Sequence, residues 1–210
     1  MEKTLEIKRG EEVTVKAGER ALVKAGGVAE VKAGGVAEVK AGGKAFVEEG
    51  GYAEASGELE DCGVVVVLDG GQAIVREYGK ALVEIGGHAE VEADGLAVVG
   101  DGGRALVKAG GKAFVEEGGY AEASGEALVF AGGEARVLEG GKAIVEAGGV
   151  AWVEHGGYAI VYGCGDAYVE DAGEVYVLAG GEAVVYEGGK ATGPGKIVRM
   201  GAQIQETHSQ

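Results

Sequence analysis

Proline, cysteine and aromatic residues are scarce in this chain of 210 residues, which holds one Pro, two Cys, one Trp, three Phe and eight Tyr. Two cysteines, Cys62 and Cys164, do not make the dense disulfide framework of a small secreted domain, so the redox compartment stays open. Positive charge is also short, with 19 Lys and Arg against 35 Asp and Glu, a formal balance of −16. Phosphate backbones and anionic membranes would be repelled, and neither nucleic acid nor membrane is expected as a partner. The opening stretch, MEKTLEIKRG, sets charges where a signal peptide needs an apolar segment, and no apolar run approaches the ~20 residues that span a bilayer. A soluble protein is expected. At 46% hydrophobic the chain is nonetheless too apolar to remain disordered. What abounds is glycine, 44 residues, about three times the usual ~7% share, and that argues against an ordinary enzyme fold.

The glycines fall on a period. From Glu11 onward the chain divides into units of eight, G-x-A-x-V-x-x-G, with first-position glycines at Gly27, Gly35, Gly43 and Gly51, and so on to Gly189. Units of six begin at Gly51, Gly57, Gly119, Gly189 and Gly195. Up to Gly188, the departures from Val at position five, namely Ala55, Asp61 and Ala123, all fall in these short units. Within a unit, positions three and five point to one face of an extended strand and positions two, four and six to the other. Near-constant Ala and Val mark the packed face, and the varied face looks outward. The Gly-Gly pair between units permits positive φ and a sharp reversal. Each unit therefore reads as one short strand and one turn.

Helix is excluded on magnitude, because two glycines per unit would cost about 2 kcal/mol relative to alanine. A lone unit is excluded as well. Burying a Val yields roughly 1.5–3 kcal/mol, whereas ordering eight residues costs on the order of 12. Stacking must supply the difference, so the expected fold is all-β, a single elongated β-solenoid in which like positions lie over one another about 4.8 Å apart. With two units per turn, position four of alternate units reads Val66, Leu82, Val98, Phe114, Leu128, Ile144, Ile160 and Tyr176, an unbroken apolar series. The intervening units read Ile74, Glu90, Leu106, Glu122, Arg136, Trp152, Tyr168 and Val184. Against two units per turn stands the duplicated block KAGGKAFVEEGGYAEASGE at Lys40–Glu58 and Lys108–Glu126. Its copies lie nine units apart, an odd number that a two-sided coil would put on opposite faces and a three-sided prism on the same one. An antiparallel meander built on glycine hairpins is a third arrangement.

Three regions follow. Residues 1–26 read as a cap with degenerate repeats, 27–192 as the repeat array, and 193–210 as a cap or flexible tail in which Pro194 cannot donate to a ladder. The octapeptides resemble those of repetitive bacterial and phage-encoded β-solenoid proteins built on Gly-x-Ala-x-Val, and more distantly the calcium-binding β-roll of secreted repeat toxins. That resemblance implies a solenoid and carries no catalytic residues. The β-roll's G-G-x-G-x-D loop is matched here by Gly110-Gly111-Lys112-Ala113-Phe114-Val115, with Ala and Val where Gly and Asp belong, so its calcium sites are not implied.

No motif for chemistry stands out. Gly100–Ala105 fits G-x-G-x-x-A but lacks the following helix of a dinucleotide site, and Gly193-Pro194-Gly195-Lys196 lacks the residues of a phosphate loop. His88, His155 and His208 lack zinc-site spacing. His155, Cys164 and Asp166 come within twelve residues, yet His155 and Cys164 occupy turn positions. The two cysteines lie about 30 Å apart along a two-unit coil, at ~4.8 Å per turn, too far for a disulfide. Paired carboxylates such as Glu48-Glu49 and Glu116-Glu117 point to opposite faces and make poor acid–base partners.

No cofactor, metal or catalytic residue is therefore assigned, and an enzyme is not expected. The informative feature is the outward apolar series, read as an interface formed by Val66, Leu82, Val98, Phe114, Leu128, Ile144, Ile160 and Tyr176 with Trp152 and Tyr168. It predicts a structural or scaffold protein that self-associates into a homo-oligomer or filament, as in a fibre, a virion part or a surface layer. The alternative is an adhesive module that holds glycans or a partner protein on its aromatic residues.

Overall fold

The computed structural model describes residues 3–58 and 62–200. Among them there is no helix, and short strands follow one another from β1 (Lys3–Ile7) to β25 (Lys196–Arg199). Most strands cover positions two to five of a unit, as in β13 (Arg104–Val107) and β14 (Lys112–Val115). They stop where the corner begins. The odd-numbered strands form a 13-stranded sheet and the even-numbered strands a 12-stranded sheet. Pairing is parallel, with Ala81 opposite Ala97 and Val83 opposite Val99, sixteen residues on. The chain thus crosses from one sheet to the other at each corner and returns one strand further along, which makes a β-solenoid. Parallel pairing rules out the antiparallel meander. The strands fall into two sheets rather than three.

Positions three and five of both sheets meet in the interior. Ala105 is 4% exposed and Val107 0%, while Lys108 is exposed. Among the described residues no polar or charged side chain is buried. The β-branched valines suit the pleated surface, and alanine beside them leaves room for the opposite sheet. The core is therefore a narrow seam of small side chains.

The two glycines of a corner meet different needs. In Val99-Gly100-Asp101-Gly102-Gly103, Gly102 has φ +68, as the third residue of a type II turn requires. Gly103 has no such φ, but a Cβ there would run into the Val83 carbonyl oxygen of the preceding coil. The first glycine supplies conformation and the second supplies space. Where the first is replaced, strain or a different turn results. Asp171 and Ala172 both take positive φ, 40 and 66, the dihedral pattern of a type I′ turn that favours Asn-Gly. Ala172→Gly is expected to raise stability by about 0.5–1 kcal/mol, the left-handed cost of alanine less the entropy cost of glycine, measured as a rise in thermal midpoint. At Tyr162-Gly163-Cys164-Gly165 the positive φ moves to Gly163, at 52, so that Cys164 can stand where glycine usually does.

The unit led by Gly57 holds no strand among the described residues. Gly57 and Cys62 form an isolated antiparallel bridge that pinches off a loop between β7 (Tyr52–Ala55) and β8 (Val64–Val67). Asp61, expected at position five of that unit, lies outside the described residues. The loop's ends remain tied to the corner ladder, since Gly57 N–H donates to the Glu77 carbonyl (2.8 Å) and Gly42 N–H to the Cys62 carbonyl (3.2 Å). This resolves the parity of the duplicated block. Its copies begin on β6 (Lys44–Val47) and β14, both in the 12-stranded sheet, and continue on β7 and β15 (Tyr120–Ala123), both in the 13-stranded sheet.

The degenerate stretch before Gly27 joins the same ladders, with β1 paired to β3 (Glu19–Val23) over five residues. At the other end β24 (Lys190–Thr192) shortens to three residues. Stacking nevertheless continues past Pro194, because β25 pairs with β23 (Glu182–Val185). Residues 201–210, including His208, lie outside the described residues.

Candidate interaction surface

The outward face of the 12-stranded sheet carries one long apolar row. Val66 stands opposite Leu82, Leu82 opposite Val98, Val98 opposite Phe114 and Phe114 opposite Leu128. The register continues through Ile144 and Ile160 to Tyr176. Phe46 pairs with Val66 and extends the row by one strand toward the N-terminus. At ~4.8 Å per strand the row from Phe46 to Tyr176 runs about 38 Å. Phe46 and Tyr176 are 42% and 40% exposed, and the aliphatic residues between are half-buried by their neighbours. Beside the row, the Phe114 and Phe130 rings lie 6.3 Å apart in a tilted contact. Charged residues end the row at Glu30, opposite Phe46, and Thr192 follows Tyr176 at the other end.

The 13-stranded sheet differs in kind. Its position-four row includes Glu38, Glu54, Glu90, Glu122 and Arg136, and cations in this row and just past the strand ends bond carboxylates of neighbouring coils. Arg76 bonds both Glu54 and Glu92, Lys108 bonds Glu90, and Arg136 bonds Glu154. All are substantially exposed, so each pair adds little stability by itself. Lys24 donates to Glu6 here, and Lys112 donates to Glu126 on the 12-stranded sheet, and each holds its partner carboxyl below the usual carboxylate range. The stability from such depressed groups is present at neutral pH and is lost as pH falls through their lowered pKa. Tyr52 and Tyr120 flank a shallow trough on this sheet whose floor includes Gln72, Ile74, His88 and Leu106. Burial pushes the hydroxyls of both tyrosines up, and the nearby Glu54 and Glu122 add to the effect.

Trp152 and Tyr168, grouped in the sequence with the apolar series, lie on this second sheet. They belong to β19 (Val150–Val153) and β21 (Asp166–Val169) and stand opposite each other in register. Their rings stack at 4.3 Å and 16°. Successive units face opposite ways, so nearness along the chain did not bring these two residues to the apolar row. Tyr162 follows a strand of the 12-stranded sheet, whereas Tyr186 follows a strand of the other.

The remaining sequence candidates are dispersed. His155 sits at the corner after β19, with Nδ1 3.2 Å from the Asp171 carbonyl, and Cys164 sits at the opposite corner, after β20 (Tyr158–Val161). The strand between them separates the thiol from the imidazole. Cys62 and Cys164 are both free. Among the described residues no group of three or more His, Cys, Asp or Glu is placed to hold a metal ion. Gly100–Ala105 is a corner and the start of β13.

No protein-family model matches the chain, and no curated protein matches it. Among solved structures it is similar to the crystal structure of a TibC-catalysed hyper-glycosylated TibA fragment spanning residues 55–350. The sequences are 26% identical, the match covers 94% of this chain and 89% of that one, and the TM-score is 0.47.

Proposed function

We propose that the chain is a non-enzymatic structural protein, a rod of two octapeptide units per turn that associates with copies of itself through the outward face of its 12-stranded sheet. The observation that carries this reading is the unbroken apolar row from Phe46 to Tyr176. A solvated sheet needs no such continuity, because threonine or charged residues meet the strand requirement equally well at exposed positions. The other sheet of the same molecule uses glutamate at many of the equivalent places. A contiguous apolar strip of this length marks a contact surface. A module that held glycans on aromatic ring faces is less well supported, because Trp152 and Tyr168 turn a face to each other.

The test removes the apolar row without disturbing the strands. Leu82→Thr, Leu128→Thr and Ile144→Thr together keep β-favouring side chains at half-buried positions. The triple variant is expected to weaken self-association about 100-fold or more, since each aliphatic group fully buried contributes roughly 1.5–3 kcal/mol. Its far-ultraviolet circular dichroism should match that of the parent. Sedimentation that shows the parent to be a monomer at every concentration contradicts the proposal.

A further inference from the structure

Resting on the self-association just proposed, we infer that the partner is a second copy docked face to face with its coil axis parallel, related by a two-fold axis that runs along the coils. The grounds are two rows of charge that flank the apolar row. In β6, β14, β10 (Lys80–Val83) and β18 (Lys142–Val145), position two is lysine: Lys44, Lys112, Lys80 and Lys142. Position six after the same strands is glutamate: Glu48, Glu116, Glu84 and Glu146. The strands between them in the sheet break this pattern, with apolar residues as in Val64, Val66 and Leu68 or Tyr158, Ile160 and Tyr162, and with Glu126 at position two of β16 (Glu126–Val129), where it lies between Lys112 and Lys142 in the cationic row. On β6, β10, β14 and β18, alternate strands of this part of the sheet, the order across the face is therefore cation, apolar, anion, and it ends at β22 (Glu174–Val177), which reads Glu174, Tyr176 and Leu178.

Only one two-fold arrangement of such faces is complementary. An axis along the coils reverses the strand direction and keeps the height, so each lysine lies over the glutamate of the same strand in the other copy. The apolar rows then meet along the axis itself. An axis along the strands lays lysine over lysine and glutamate over glutamate, which is repulsive. Six of these eight charges have no ion-pair partner in the chain among the described residues. Among the described residues no ion pair within 4.0 Å reaches Lys44, Lys80, Lys142, Glu84, Glu116 or Glu146; Lys32 pairs with Glu48 and Lys112 with Glu126. On the 13-stranded sheet, by contrast, Arg76, Lys108 and Arg136 bind their carboxylates internally. The face from Phe46 to Tyr176, between the charged rows, offers about 600 Å² per copy and about 1,200 Å² in all, the lower edge of the range for stable specific interfaces. Such a pair is isologous and closed.

Two measurements on the full chain test the arrangement. Reversing one row, with Lys80→Glu, Lys112→Glu and Lys142→Glu, is expected to weaken the dimer at least tenfold at low salt. Adding Glu84→Lys, Glu116→Lys and Glu146→Lys to the same chain restores complementarity and should restore the dimer. For orientation, a nitroxide is attached at Ala33→Cys, an exposed corner, with Cys62→Ser and Cys164→Ser. Pulsed electron resonance should read a separation of about 25 Å for parallel coils and about 50 Å for antiparallel ones centred on Phe114. A dimer that gives the long distance, or that ignores both charge reversals, overturns the two-fold pairing and leaves self-association standing. A parent protein that is monomeric at every concentration overturns both.

Discussion

Replacing Val107 by Glu is expected to destabilise the rod by about 5 kcal/mol or more, because a carboxylate would be placed without a partner in the seam between the sheets. Val107 is 0% exposed and stands in register with Val91 and Ala123. No polar group is available to receive it. The neighbouring Lys108→Glu should cost less than about 1 kcal/mol, since exposed pairs contribute little, although it sets a negative charge against Glu90 and Glu92. Because each coil contacts chiefly its neighbours, the damage should begin locally, and the melting curve of Val107→Glu should broaden as well as shift. Equal melting temperatures for the two variants would mean that inside and outside had been reversed.

The second large effect is expected at a position with no side chain at all. Gly103→Ala should cost about 3 kcal/mol, the upper part of the range for overpacking, because its Cβ would run into the Val83 carbonyl oxygen and lie 2.9 Å from the carbonyl carbon. Backbone in a ladder cannot rotate away as a side chain would. Gly102→Asn, one residue earlier, should cost less than about 1 kcal/mol, since asparagine tolerates the left-handed region. Asp94 already occupies the equivalent place with φ 62. Chemical denaturation of the two variants separates crowding from conformation, and a larger loss for Gly102→Asn would refute the assignment.

Most of the fold could be read from alternation alone. Ala and Val at positions three and five announced the interior, because a seam shared by every coil accepts only a fixed small volume. Local pattern could not show which glycines end strands. Gly57 resembles every other unit leader, yet it closes a loop with Cys62, and only the pairing of distant strands reveals this. Counting that loop as a strand put the two copies of the duplicated block on opposite faces, when both fall on the same ones. The apolar row was legible from Val66 onward for the same reason that Phe46 was missed, since the loop breaks the count between them. Trp152 and Tyr168 were grouped by composition, and their faces follow from strand parity. The distinct tasks of the paired glycines were hidden too, because positive φ and close approach select the same residue type.

Thiol labelling of two adjacent positions tests the central claim most directly. With Cys62→Ser and Cys164→Ser as background, Leu106→Cys and Val107→Cys place one thiol on each face of β13. Leu106 is 41% exposed and Val107 0%. The account predicts that the thiol at position 106 reacts at the rate of an exposed cysteine, while the one at 107 reacts only when the rod unfolds, slower by several orders of magnitude. Equal rates at the two positions under native conditions would contradict it.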